Sequence, residues 1–474
     1  MAVSERTRRT VRETQTRFEL DADRLVELDR RHKLPGFAPL DEHARDGSML
    51  IVRGKGVFVW DARGKQYLDG SSAIWNVNLG YGQSEVADTV RDQLEKLSFH
   101  LGLLNISTPP AAELAAKLAS LAPDGLDRVF FTSGGSESNE SVIRLSRLYF
   151  KLKGYKNKVT AIARNRGYHG SSTGAASLTG IEHFHEHFEP MMARVRHIDP
   201  PYCYRCPWKK SYPSCGVACA DELEKAILEE GPDNVAFFIA EPVMGAGGVI
   251  AAPPEYFPRI RQICDRYDVL MVVDEVITGT GRTGKMWGIE HWGVIPDIIS
   301  TAKGISSGYL PLGAVIVHEK IYQTLLESKG VVMWHGYTNT GNPACCAAGL
   351  KVLEIVERDG LIEHAARMGE RLHDGLRRFR SLPIVGDVRG LGLMAAIELV
   401  RNQESREAFP AEAGVGAQFK RAAFDGGLLI RAIGDNICMS PPLTISASEI
   451  DLMLERLGEA LAKTEAWAKS QKLM

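Results

Sequence analysis

Apolar positions change their spacing several times along the chain, and each change marks a predicted element. From about residue 83, EVADTVRDQLEKL and then AAELAAKLASLA place apolar residues every three or four positions, the spacing of an amphipathic helix. SESNESVIRLSRLYFKL and PRIRQICDRYD read the same way. Between the helices stand short, nearly continuous apolar runs: RVFFT (128–132), KVTAIA (158–163), VAFFIAEPV (235–243), VLMVVDEVI (269–277) and GAVIVH (313–318). Such runs suit strands covered on both faces, and their alternation with helices predicts a mostly parallel sheet flanked by helices. Near the start, VFVWDARGKQYLDG (57–70) alternates like a strand pair around the turn residues DARGK. The first thirty or so residues are charged and helical in pattern, ending near Pro35. The tail differs. Helices near 343–358 and 361–380, short strands and a last helix from 447 predict a separate α+β lobe. The expected division is an N-terminal segment (1–75) that contributes to a small domain, a large domain (76–345) and a C-terminal small domain (346–474).

Composition adds mainly exclusions. A formal net charge of -2 over 474 residues lacks the basic excess expected of a nucleic-acid partner. The longest apolar runs, such as VAFFIA, are far too short to span a bilayer. The start, MAVSERTRRTVRETQTRFELDADRL, has no apolar core for a secretory signal, and Glu5, Glu13 and Asp21 speak against a transit peptide. A cytoplasmic protein is expected.

In an open α/β sheet, ligands bind beyond the carboxyl ends of the strands. Three such ends carry chemistry. In RVFFTSGGSESNESV a strand stops at Thr132, small residues turn the chain, and a helix begins near Glu137, so free N–H groups and the Ser136 hydroxyl can cradle an anion; an ordinary capped turn has the same sequence. In VLMVVDEVITGTGRTG, Asp274 ends an apolar run and needs a partner, either a protonated pyridine nitrogen or an arginine such as Arg282. GTGRTG (279–284) matches a dinucleotide fingerprint in letters alone, because no helical pattern follows it. In STAKGISSGYLPLGAV, Lys303 stands at a strand end among small residues that would let a flat ring approach. A desolvated lysine there loses its proton readily and attacks carbonyls. Phosphate cradle, carboxylate and nucleophilic lysine together are the protein's share of pyridoxal-phosphate chemistry. Tyr168, in GYHG, adds an aromatic ring that can stack.

From about Leu50 through the last helix, the chain closely resembles the class III aminotransferases, fold-type-I pyridoxal-phosphate enzymes also called ω-aminotransferases. FTSGGSESNE, GYHG, EPVMGAGG, VVDEVITGTGRTG, STAKGISSGYLPLGAV, HGYTNTGNPACCAAGL and VRGLGLMAAIEL carry the resemblance. It implies an α/β fold with a large domain built on a mostly parallel seven-stranded sheet, plus a smaller α+β domain. It implies pyridoxal 5′-phosphate as cofactor, with Lys303 as the internal-aldimine lysine and Asp274 paired to the ring nitrogen. Gly135, Ser136 and Thr338 would bind the phosphate, Thr338 from the neighbouring subunit, so a homodimer with its site at the interface is implied and a tetramer is left open. Tyr168 and Val276 would flank the ring, while Trp75, Tyr168, Ala246 and Arg431 would line the substrate pocket. Gly134 stands where the family often has serine, and Met244 where a glutamine often contacts the ring hydroxyl. The MGAGG segment resembles the amine:pyruvate branch. The implied reaction is transamination of an ω-amino acid or primary amine, such as β-alanine, taurine or a diamine, with pyruvate as acceptor. A 4-aminobutyrate or ornithine enzyme using 2-oxoglutarate, or an aminomutase of the same fold, is the alternative.

An insertion at about 201–220 holds Cys203, Cys206, Cys215 and Cys219. C-x2-C followed by C-x3-C allows a structural zinc site, a redox-sensitive hairpin or four unliganded thiols. The other four cysteines, Cys264, Cys345, Cys346 and Cys438, lie in apolar contexts and read as core residues.

Overall fold

The computed structural model describes residues 21–474, so the expectations about the extreme N-terminus fall outside the described residues. The first described helix, Ala22–His32, is capped by Asp21 and stops before Pro35. Strands β1 (Ile51–Lys55), β2 (Phe58–Asp61) and β3 (Gln66–Asp69) then form an antiparallel meander, with DARGK turning the chain between β2 and β3.

The central sheet is assembled from β4 (Leu126–Thr132), β5 (Thr160–Arg164), β6 (Val195–Ile198) and β7 (Val235–Ala240), followed, after a short hairpin β8 (Val243–Met244) and β9 (Ile250–Ala251), by β10 (Leu270–Asp274), β11 (Ile298–Thr301) and β12 (Gly313–His318). Its seven strands run in the order β4-β12-β11-β10-β7-β5-β6. Only β12 is antiparallel to its neighbours, β11 and β4. Side chains alternate between faces as strand geometry demands. Phe237, Ile239, Leu270 and Val272 enter one apolar cluster, while Phe238, Ala240, Met271 and Val273 enter another. Both faces are buried, which is why these strands read as unbroken apolar runs. β6 escapes that reading because Arg196 and His197 interrupt it.

The chain after the Pro343–Arg358 helix continues with a helix at Leu361–Arg377, the strands β13 (Val385–Leu391) and β14 (Met394–Leu399), and the helix Val415–Asp425. β15 (Leu428–Leu429) adds to the N-terminal meander beside β3, and β16 (Arg431–Ile433) and β17 (Asn436–Met439) complete a sheet of order β13-β14-β17-β16. The last helix is Ala447–Ser470, opened by a Ser446/Glu449 capping box. Val57 and Leu68 share one apolar core with Leu399, Ile437 and Leu457, so the N-terminal strands pack with the C-terminal ones. Among the described residues, no helix is long and apolar enough to cross a membrane.

Thr132, Asp274 and Thr301 end β4, β10 and β11 at the same edge of the sheet.

Candidate active site

Beyond that edge lies a cavity of about 120 Å³ lined by Gly135, Ser136, Tyr168, Asp274, Val276 and Lys303, among others. The strand-end rule thus brings its three features together.

The helix after β4 runs from Gly135 to Leu152, with no side-chain cap on its first N–H groups. Those groups point where an anion is favoured. A Cβ on Gly135 would stand 3.0 Å from Val276 Cγ1, and one on Gly170 (φ +132°) only 2.6 Å from Ser136 Oγ. Glycine at both positions keeps the backbone close around this space. The Ser171 N–H donates to Ser136 Oγ at 3.1 Å, fixing the hydroxyl.

Asp274 is buried. Its Oδ2 accepts from Asn139 Nδ2 and meets His169 Nδ1, both at 2.8 Å, and its Oδ1 accepts from the Val276 N–H at 3.1 Å. Arg282 is not its partner: that guanidinium donates to the Pro441 carbonyl and to Asn78 Oδ1. No arginine or lysine is paired with Asp274 among the described residues. GTGRTG turns the chain without opening an α-helix, and a short 3-10 turn follows at Gly288–Trp292.

Lys303 follows β11 directly at φ +46°, in the left-handed region that non-glycine residues rarely adopt. Burial pushes its amine down to about 8, offset partly by the Asp274 carboxylate and reinforced by Arg431. The small neighbours also make room for another part of the chain. A Cβ on Gly304 would run into the Asn78 amide, and one on Gly308 into that of Asn76. The Leu79 N–H donates to Ser307 Oγ at 2.8 Å. Glycine and serine here let residues 76–79 pack against the lysine loop and hold its strained backbone.

Three cavity residues were present in the motifs without an assigned role. Asn139 lies one helical turn after Ser136, and its amide bridges Asp274 and the His169 carbonyl. His169 is buried with its Nδ1 on Asp274. Glu241 directly follows β7, the same strand-end signal that marked Asp274. Its carboxylate accepts from the N–H groups of Tyr168 (3.1 Å) and Gly245 (2.8 Å), and burial raises its pKa.

Ile277 lines this cavity, whereas Trp75, Ala246 and Arg431 do not. Trp75 is buried at φ +62°, and a Cβ on Gly245 would collide with its ring and with Ile277. The Arg431 guanidinium stands 5.8 Å from the Trp75 ring centroid. Ala246, partly buried, follows Gly245 in the same loop. Thr338 is exposed and does not line the cavity, whereas Tyr337 donates to the Glu137 carbonyl at 3.0 Å.

Zinc finds no support in the insertion. Cys203, Cys206, Cys215 and Cys219 are free thiols that surround a void of about 20 Å³, yet no three His, Cys, Asp or Glu side chains among the described residues converge as a metal site. Their environments differ: Cys203 is exposed, while Cys219 is buried in the first turn of the Ala218–Glu230 helix, where burial pushes its thiol up to about 12. Ligation needs thiolates. Cys264, Cys346 and Cys438 are buried and Cys345 partly so, as their apolar contexts predict.

Residues 41–461 match the family Aminotransferase class-III. The chain belongs to this family. Among its class III aminotransferase relatives, the putrescine–pyruvate aminotransferase of Pseudomonas aeruginosa is 40% identical over 440 residues, covering 93% of this chain and 96% of that one. The diaminobutyrate–2-oxoglutarate transaminase of Halomonas elongata is 37% identical, covering 94% and 96%. The crystal structure of an (S)-enantioselective omega-transaminase from Thermomicrobium roseum superposes with a TM-score of 0.91 at 43% identity, covering 94% of this chain and 99% of that one. The fold is therefore the fold-type-I transaminase fold, and the chain is a class III aminotransferase enzyme. Pyridoxal 5′-phosphate is the cofactor expected of this family. The cavity fits it: an uncapped helix start for a phosphate, a carboxylate with no arginine or lysine partner for a protonated ring nitrogen, and a lysine of lowered pKa for a carbonyl.

Proposed function

We propose that this class III aminotransferase moves an amino group from an ω-amino acid or primary amine, including diamines, to pyruvate. The observation that carries the chemistry is one cavity holding both Lys303 and Asp274 at adjacent strand ends.

Pyridoxal phosphate, when bound, supplies a carbonyl for amine exchange and a ring that delocalises charge left on the substrate carbon. Gly135 and Ser136 would hold its phosphate at the helix start, joined from the neighbouring subunit by Thr338. Tyr168 and Val276 would flank its ring. Asp274, oriented by Asn139 and His169, would keep the ring nitrogen protonated. Lys303 Nζ would hold the cofactor at its carbonyl carbon at rest and would take the proton from the amine-bearing carbon of the donor during turnover. An amine whose pKa is lowered to about 8 is partly neutral near neutral pH, as a base must be. Exposed Trp334 (80%) and Leu104 (81%) support an interface between two copies, because large apolar side chains so exposed favour burial against a partner.

By its resemblance to the amine:pyruvate branch, the small Ala246 would leave room near Arg431, which supports donors that lack a second carboxylate. A relative named for putrescine and pyruvate supports the same choice, whereas the relative named for 2-oxoglutarate marks the alternative acceptor. The test incubates purified enzyme with putrescine or β-alanine and either ketoacid, and measures alanine and glutamate by chromatography. Alanine is expected to form at least about tenfold faster, the discrimination that about 1.4 kcal/mol of transition-state binding gives. Glutamate formed faster than alanine would replace this reading with the 2-oxoglutarate one, and amino-group rearrangement without any ketoacid would indicate an aminomutase.

A further inference from the structure

A cluster of buried charge joins parts of the chain that lie far apart in sequence. The Arg389 guanidinium, on β13, grips the Gly248 carbonyl with both Nε (3.0 Å) and Nη2 (2.7 Å). Its Nη1 donates to Asp387 (3.0 Å) and to Glu398 (2.8 Å), and its Nη2 also donates to Asn436 Oδ1. Glu398, on β14, accepts in addition from the Tyr202 hydroxyl and from Arg205 Nε, both in the cysteine-rich insertion. The Tyr202 ring is flanked by Arg389, 4.9 Å from its centroid, and by Arg166 at 5.3 Å.

These contacts reach the loop that carries Ala246. Gly248 closes the Gly245–Gly248 loop that carries Ala246, and the other end of that loop is pinned to Glu241 through the Gly245 N–H. At φ +109°, Gly248 has no room for a Cβ larger than a van der Waals squeeze against Arg389 and Asn436. Asn436 pairs with Glu398 across β14 and β17, and β17 pairs in turn with β16, where Arg431 faces Cys438. Arg389 therefore connects the loop bearing Ala246 with the strands bearing Arg431.

We propose that Arg389 is a positioning residue for the amine donor: its two-pronged grip on Gly248 and its bond to Asn436 fix Ala246 at a set distance from Arg431, while Tyr202, Arg205 and Glu398 hold Arg389 in place. The cysteine-rich insertion acts here through its tyrosine and arginine. This rests on the reading of Ala246 and Arg431 as donor-pocket residues.

Two conservative variants test it. Arg389→Lys keeps the charge but cannot make two parallel bonds to one carbonyl, and Tyr202→Phe removes one hydroxyl while keeping the ring. With pyruvate as acceptor and putrescine or β-alanine as donor, Arg389→Lys is expected to raise the donor KM about tenfold, the usual cost of a hydrogen bond to a charged group, with kcat nearly unchanged. Tyr202→Phe should shift KM in the same direction by less. Hydrogen exchange followed by mass spectrometry, which needs no turnover, should show faster exchange at 245–249 and none of the change at 270–274. A fall in kcat at constant KM, or exchange raised throughout the chain, would overturn the proposal and make Arg389 a general stabiliser. A wild-type enzyme that uses neither donor would sink the substrate reading instead, and the exchange comparison would then decide the role of Arg389 alone.

Discussion

Lys303→Ala is expected to lower turnover by about 10⁴-fold or more, because it removes both the general base and the nucleophile that holds the cofactor. The fold should survive. Lys303 contributes an amine whose burial works against its charge, so nothing stabilising leaves with it at neutral pH. The sign of the pH effect gives a second check. The folded amine titrates near 8, against about 10.4 in an unfolded chain. Between those values the unfolded state binds more protons, so this residue makes the cofactor-free protein gain stability as pH rises from 8 to 10.4. The variant should lose that increment, and its melting temperature at pH 7 should equal or exceed that of the wild type. Turnover in the variant within about tenfold of wild type would assign the base elsewhere, since positioned proton transfer alone is worth about 10²-fold or more.

Asp274→Asn should slow the reaction by about 10²–10³-fold, the range seen when one preorganised electrostatic partner is lost from an enclosed site. Size is preserved, and the Val276 N–H can still donate to an amide oxygen. What changes is charge, together with a clash of donors: the new NH₂ group must face Asn139 Nδ2 or the His169 ring, which both now meet the carboxylate. Proton removal from the donor carbon should then limit the rate. A donor deuterated at that carbon should react more slowly than its protium form, by a larger factor in the variant than in the wild type. Unchanged circular dichroism would separate this from misfolding, and an unaltered rate would reduce Asp274 to a structural acid.

How much of this could be read from the sequence depends on which residues lie next to their own signal. Asp274 and Lys303 end apolar runs, so strand and chemistry share one stretch of letters. Ser136 likewise follows β4 within a few residues. Glu241 carried the same mark at the end of β7 and could have been found by it. Asn139 and His169 could not, because only folding brings a helix turn and a loop onto one carboxylate. The small residues around Lys303 were visible, yet their partners, Asn76 and Asn78, lie more than two hundred positions away. Separation in sequence also hides the Arg389 cluster, where residues 202, 205, 248, 389, 398 and 436 converge. The four cysteines show the converse: their spacing left a zinc site, a redox-sensitive hairpin and unliganded thiols open, and among the described residues no three of them converge as a metal site.

The central claim is a carbon–nitrogen bond between Lys303 and the cofactor. Treating the pyridoxal-phosphate-loaded enzyme with borohydride, digesting it and mapping the modified peptide by mass spectrometry tests it directly. A single pyridoxyl label on Lys303, within the segment 300–315, is the predicted result; a label on another lysine, or no label on a protein that has bound the cofactor, would contradict the account.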